Sequence, residues 1–243
     1  MKEIFVESEN KIRIAVNHYE SGVRESVVII CPGCFICKDA KPFRMMSEDF
    51  YKVYDVITMD FRGHGRSSGL FTFTAREYND LRSVVVYAKN FYKRIGILGF
   101  SLGAASAIIY TAKFKDVDSL IAVAPPVSFR KIENHFWKKN TLIAAIKKYE
   151  LWKNPSIRPG NIFLKKDNPI DLVGDISPIP FLVITGTDDT IIYPWHCIEL
   201  NKWSGEPKKM FIFDKGLHAE QLYLKQCEIF MGVCKDWFTT YLG

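Results

Sequence analysis

Ser101 stands between two glycines in the stretch Gly99-Phe100-Ser101-Leu102-Gly103, after the apolar run 95–100 and before a small-residue segment that continues through Ala104, Ala105 and Ser106. A serine so placed can serve as a nucleophile, but its hydroxyl is weak unless a base takes the proton and an acid orients the base. The spacing G-x-S-x-G alone says little, because average Gly and Ser usage yields it by chance in roughly one of ten chains of this length. Its surroundings say more. Where a strand turns sharply into a helix the two backbones approach closely, and glycines on both sides of the serine leave the space. The helix N-terminus then aims its amides and positive dipole end at the site, favouring negative charge on a substrate oxygen.

Five histidines are available as the base: His18, His64, His135, His196 and His218. His218 follows the strand-like run 209–213 and precedes a long helical pattern, so it is expected at the carboxyl end of a strand, the edge where Ser101 also emerges. His18 falls near an edge hairpin, His135 in an irregular interval and His196 inside a helical segment, and each of these three is expected at the surface. The acid is expected after the preceding strand, 181–185, where Gly186-Thr187-Asp188-Asp189 offers two adjacent carboxylates. Asp188 suits the turn's own backbone, which leaves Asp189 for the base. After the run 119–124 no acid occurs before Glu133, so that strand offers no alternative.

These residues need elements to carry them. Short apolar runs at 27–31, 56–60, 95–100, 119–124, 181–185 and 209–213 have the length and bounding residues of strands covered on both faces. Helical patterns at 74–90, 102–113, 196–203 and 220–238 alternate with them, which predicts an α/β chain whose mostly parallel sheet of about eight strands has helices on both faces. Two further strands, near 4–6 and 11–16, lie too close together for a crossover and predict an antiparallel hairpin at the sheet edge. At 243 residues with 48% apolar composition, the chain fits one domain, 1–243. The interval 126–178 is expected to form a small, lid-like helical insertion over the site, with Phe129, Phe136 and Trp137 among its apolar content.

Composition excludes several classes. No apolar stretch reaches the ~20 residues needed to span a bilayer, and the start alternates apolar with charged residues like a strand rather than a leader, so a cytoplasmic location is expected. The formal charge of +6 is spread along the chain, without a basic arm or an aromatic-basic motif, and no nucleic-acid partner is expected. Cys31, Cys34 and Cys37 are evenly spaced, but no fourth ligand follows at a suitable distance and the other cysteines, Cys197, Cys227 and Cys234, are remote. Reduced thiols are expected, with no metal and no cofactor.

The order Ser, Asp, His on this frame resembles the α/β-hydrolase superfamily. Three further stretches share the likeness. Asp60-Phe61-Arg62-Gly63-His64-Gly65-Arg66-Ser67 resembles the superfamily's D-x-R-G-x-G-x-S loop. Cys31-Pro32-Gly33-Cys34-Phe35 occupies the place of its His-Gly-x loop, with Pro32 where the family has His. The turn at Gly186 resembles its G-x-x-D acid turn, which favours Asp189. The resemblance covers the chain from about residue 25 onward, apart from the insertion. It implies a bacterial-esterase-like serine hydrolase with catalytic Ser101, Asp189 and His218, and with the backbone amides of Cys34 and Leu102 as oxyanion donors. It assigns His64 a structural place. Phe35, Phe129, Phe136 and Trp137 are expected to contact a small-molecule acyl ester. Acyl-thioesters or small amides are the alternative substrates, and a non-catalytic binding protein of the same fold is the remote one. Neither substrate identity nor oligomeric state follows from the residues.

Overall fold

The computed structural model describes residues 1–133 and 157–243. Eight strands form one sheet in the order β1-β2-β4-β3-β5-β6-β7-β8. β1 (Lys2–Glu7) and β2 (Arg13–Tyr19) make the expected antiparallel hairpin, with Ile4 opposite Val16, and β2 is also antiparallel to β4. The remaining pairs are parallel. They join β3 (Ser26–Cys31), β4 (Asp55–Met59), β5 (Arg94–Phe100), β6 (Ser119–Val123), β7 (Phe181–Gly186) and β8 (Lys208–Phe213).

The central strands are apolar throughout because both faces are covered. Along β3, Val28 and Ile30 face one core, while Val27, Ile29 and Cys31 face the other. This is the period-two alternation of a pleated strand with no solvent side. One core receives α1 (Lys41–Tyr51), which inserts Phe43, Met46 and Phe50. The other receives α2 (Glu77–Ala88) and α3 (Leu102–Phe114), through Leu81, Val84, Ala104 and Ile108. α4 (Pro194–Trp203) packs on this second face through Cys197 and Leu200. α5 (Glu220–Lys225) and α6 (Cys227–Leu242) return to the first face.

Three differences from the sequence expectation have physical causes. Helix α1 was not anticipated, although Phe43, Met46, Ser47 and Phe50 form a buried stripe at helical spacing and Pro42 opens the helix. The C-terminal helical pattern is two helices, broken at Gln226, whose backbone (φ −135°, ψ 48°) is not helical. His18 and His196 are fully buried rather than at the surface. His18 lies between the hydroxyls of Tyr87 (3.0 Å) and Tyr92 (2.5 Å), and burial lowers its pKa.

Of the interval expected as an insertion, the described parts are its two ends and the turns Pro169–Leu172 and Val173–Ile176. Phe136, Trp137 and His135 lie outside the described residues. The entering end is held where Glu133 accepts hydrogen bonds from Trp195 Nε1 (2.5 Å) and His196 Nε2 (3.1 Å) of α4. At the other end Arg158 donates its amide to Gly63 O (2.6 Å) and its guanidinium to the carbonyls of Gly65 and Ser67.

Candidate active site

Ser101 is the single residue between β5 and α3, with φ 51° and ψ −119°. This is a strained backbone for a residue with a side chain. Its amide donates to Val123 O of β6 at 2.8 Å, which holds the turn in place. The close approach predicted from the flanking glycines is present. A Cβ on Gly99 would lie 2.7 Å from Ala104 Cα, and one on Gly103 would lie 2.2 Å from the Pro32 carbonyl oxygen. Only a bare Cα fits at either place.

His218 reaches this serine from the loop after β8. Its Nε2 lies 3.1 Å from Ser101 Oγ, and its Nδ1 lies 2.7 Å from Asp189 Oδ2, carried on the loop after β7. Three strands thus deliver three side chains to one carboxyl edge of the sheet. Asp189 Oδ1 accepts the amides of Ile191 (2.9 Å) and Ile192 (3.0 Å). Because that carboxylate accepts on both oxygens, Nδ1 carries the ring proton and Nε2 is free to accept from the serine hydroxyl. The acid is enclosed, with no exposed side-chain surface, whereas His218 keeps 7% and Ser101 9%. The imidazole and the hydroxyl therefore sit at the boundary with solvent, and the carboxylate lies behind them.

The choice between the two aspartates has a different physical basis from the one expected. Asp189, not Asp188, caps the turn's backbone, and it does so with the oxygen that His218 leaves unused. Asp188 is exposed and accepts from the Thr187 hydroxyl at 3.1 Å. The loops carrying acid and base touch at Gly186 and Gly216, where a Cβ on Gly186 would lie 2.2 Å from Gly216 O. A second strained residue, Ala219 (φ 51°, ψ −117°), follows His218 and nearly repeats the backbone of Ser101. No glycine marks this position, so the sequence carried no signal for it.

The loop after β3 lies against the serine. A Cβ on Gly33 would stand 3.2 Å from Ser101 Cβ, and Cys34 is the next residue of this loop. Leu102 adjoins Ser101 as the first residue of α3. Burial first, and the nearby Glu77 second, hold the Cys34 thiol well above its usual range. A thiol so disposed stays protonated at neutral pH and is not an activated nucleophile. Among the described residues, no group of three or more His, Cys, Asp or Glu side chains could hold a metal ion.

Phe35 is half-buried with φ 66° beside Cys34. Phe129, just beyond β6, is buried, stands 5.5 Å from the Phe73 ring and lines a cavity of about 780 Å³ together with Ile162, Leu164 and Lys166. His64 donates its Nδ1–H to Arg62 O at 3.1 Å, and its ring stands edge-on to Phe71. Burial pushes its pKa down to about 4, so it is neutral, in keeping with a structural place. In the same loop Arg62 chelates the buried Asp80 through Nε and a terminal nitrogen, the closest contact being 2.7 Å.

A sequence profile of the α/β-hydrolase fold family matches residues 26–140. The esterase Pf2001 of Pyrococcus furiosus superposes with a TM-score of 0.81 at 21% identity, over 100% of this chain and 93% of that one. The esterase RhEst1 of a Rhodococcus species gives 0.82 at 15% identity, over 99% of this chain and 100% of that one. An uncharacterized membrane protein of Saccharomyces cerevisiae is 26% identical over 209 residues, 81% of this chain, and the match spans 66% of that protein's length. Among the described residues of the present chain, no helix is long and apolar enough to cross a membrane.

Proposed function

The chain has the α/β-hydrolase fold, and from that premise we propose that it is a serine hydrolase of carboxylic esters, with Ser101 as nucleophile, His218 as general base and Asp189 as the orienting acid. One observation carries the reading: the continuous hydrogen-bonded line from Asp189 Oδ2 through His218 to Ser101 Oγ, at 2.7 and 3.1 Å. Esterase activity in the two superposed relatives supports the same reading.

The steps follow from that line. Ser101 Oγ attacks the acyl carbon as its proton passes to His218 Nε2. The carbonyl π electrons move onto oxygen, and the amides of Cys34 and Leu102 bind the resulting oxyanion. Collapse expels the alcohol, which takes the proton from His218 and leaves an acyl group on Ser101. Water then gives its proton to Nε2 and attacks the ester, and the acid departs as Ser101 recovers its hydrogen. Each backbone donor of this kind contributes on the order of 10²–10³ in turnover. Phe35 and Phe129 flank the path of the acyl group.

Treatment with a fluorophosphonate probe tests the reading. Native protein becomes labelled on Ser101 and hydrolyses p-nitrophenyl acetate, and Ser101→Ala abolishes both. Unlabelled native protein, or labelling that persists in Ser101→Ala, refutes it.

A further inference from the structure

The Cys34 amide stands on a segment that leaves β3 at Cys31 and enters α1 at Lys41, and an oxyanion donor is useful only if that segment is fixed. Its upstream leg is wedged between Ser101 and the start of α3, as the Gly33 and Gly103 contacts show. Pro32 offers no side-chain hydrogen bond there.

The downstream leg is held by Lys38. Its side chain has no exposed surface, a rare place for an ammonium group. The three N–H donors of Nζ have three acceptors: Glu3 Oε1 of β1 at 2.8 Å, Asn17 Oδ1 of β2 at 2.9 Å and Asp39 Oδ2 at 2.6 Å. Asn17 Nδ2 closes the ring by donating to Asp39 Oδ1 at 2.7 Å. The Lys38 backbone amide donates to Asp60 Oδ1 at 2.7 Å, just beyond β4. Asp60 Oδ2 accepts the Arg66 amide at 3.0 Å, and the Arg66 guanidinium pairs with Glu3. One residue thereby ties the loop to β1, β2 and the end of β4 at once. Taking an ammonium out of water costs several kcal/mol before its partners compensate, so packing alone would be served better by Met or Leu. What the buried ion adds is direction, since two of its donors meet acceptors on the β1–β2 hairpin and the third meets Asp39 of its own segment, which Asn17 holds in turn.

We propose that Lys38 is a positioning residue for the oxyanion loop, its buried ammonium locking the segment 32–38 so that the Cys34 amide faces the oxygen that becomes charged above Ser101. The proposal rests on the serine-hydrolase reading. It makes the β1–β2 hairpin, remote from the triad in sequence, part of what supports turnover.

The test compares native protein with Lys38→Met and Asn17→Ala, using p-nitrophenyl acetate kinetics and a trifluoromethyl ketone. Ser101 Oγ adds to the ketone carbon, its proton goes to His218, and the hemiketal oxyanion reports on the amides directly. Lys38→Met should lower kcat about 100-fold with KM within threefold, and weaken ketone affinity by a similar factor. Asn17→Ala, which removes one of the three acceptors, should lose about fivefold in both, and it decides the matter if Lys38→Met does not fold. A stabilising role alone would lower Tm but leave ketone affinity and kcat per folded molecule unchanged below the transition. Folded variants with native kcat and ketone affinity, or with a raised KM and native kcat, overturn the proposal while leaving the hydrolase reading intact. A native protein that resists the fluorophosphonate probe overturns the hydrolase reading, and the role of Lys38 with it.

Discussion

Replacing Gly103 with alanine sets local preference against tertiary geometry. Within a helix alanine is favoured over glycine by up to about 1 kcal/mol, so α3 considered alone would gain. In the folded chain the new methyl carbon would lie 2.2 Å from Pro32 O and 2.5 Å from Cys31 O. The closer approach falls about 1.2 Å short of ordinary contact at 3.4 Å. Both obstacles are backbone atoms of the loop that carries Cys34, and neither can swing aside as a side-chain end would. Overpacking of this kind costs about 1–3 kcal/mol, so after the helix gain a net loss of up to about 2 kcal/mol is expected in urea unfolding. The relief available is to push the loop from α3 by about 1 Å, and a displacement of that size at reacting groups costs about 100-fold in turnover. Measured on p-nitrophenyl acetate, Gly103→Ala should therefore lose about two orders of magnitude in kcat while remaining folded at 25 °C. A variant more stable than the parent and fully active would show that the loop and helix are not in the register described, and would refute the reasoning.

The two aspartates of the acid turn should separate cleanly: Asp189→Asn loses on the order of 10³–10⁴ in kcat, because an amide facing His218 Nδ1 no longer selects the tautomer, while exposed Asp188→Asn stays within about tenfold. The reverse order in p-nitrophenyl acetate hydrolysis would reject Asp189. His64 should weaken the fold in acid. Its ordinary pKa of 6.5 falls to about 4 in the folded chain, so the unfolded chain binds the proton first. Stability present above pH 6.5 is then lost as pH falls towards about 4. Between pH 7 and 4.5 the loss from this group is about 2–3 kcal/mol, and His64→Gln should lose that much less in urea titrations over the same range. Equal losses in parent and variant would show that His64 is not held neutral.

Much of the architecture was legible because it depends on short-range pattern. Apolar runs such as 27–31 and 181–185 could be recognised as doubly covered strands, and the glycines around Ser101 announced a turn too tight for side chains. The meeting of Ser101 and His218 with the Asp188-Asp189 pair followed from the rule that loops at the carboxyl ends of parallel strands converge, whereas the choice of Asp189 within that pair came from the likeness of its turn to G-x-x-D. Helix α1 was missed although its stripe is visible in Phe43, Met46 and Phe50 and Pro42 stands in its first turn. His18 and His196 were misplaced because a polar side chain enters a core only where partners await it. Those partners, Tyr87, Tyr92 and Glu133, come from distant parts of the chain.

Sequence alone determined the alternation of strand and helix and the chemical types available at one sheet edge, since both reside in residue order and periodicity. Tertiary structure decided which oxygen of Asp189 faces the base and which caps the turn, that Ala219 shares the strained backbone of Ser101, and that Lys38 spends its buried charge on Glu3, Asn17 and Asp39. Each of these depends on hydrogen bonds between groups far apart in sequence, whose directions exist only once the strands have paired.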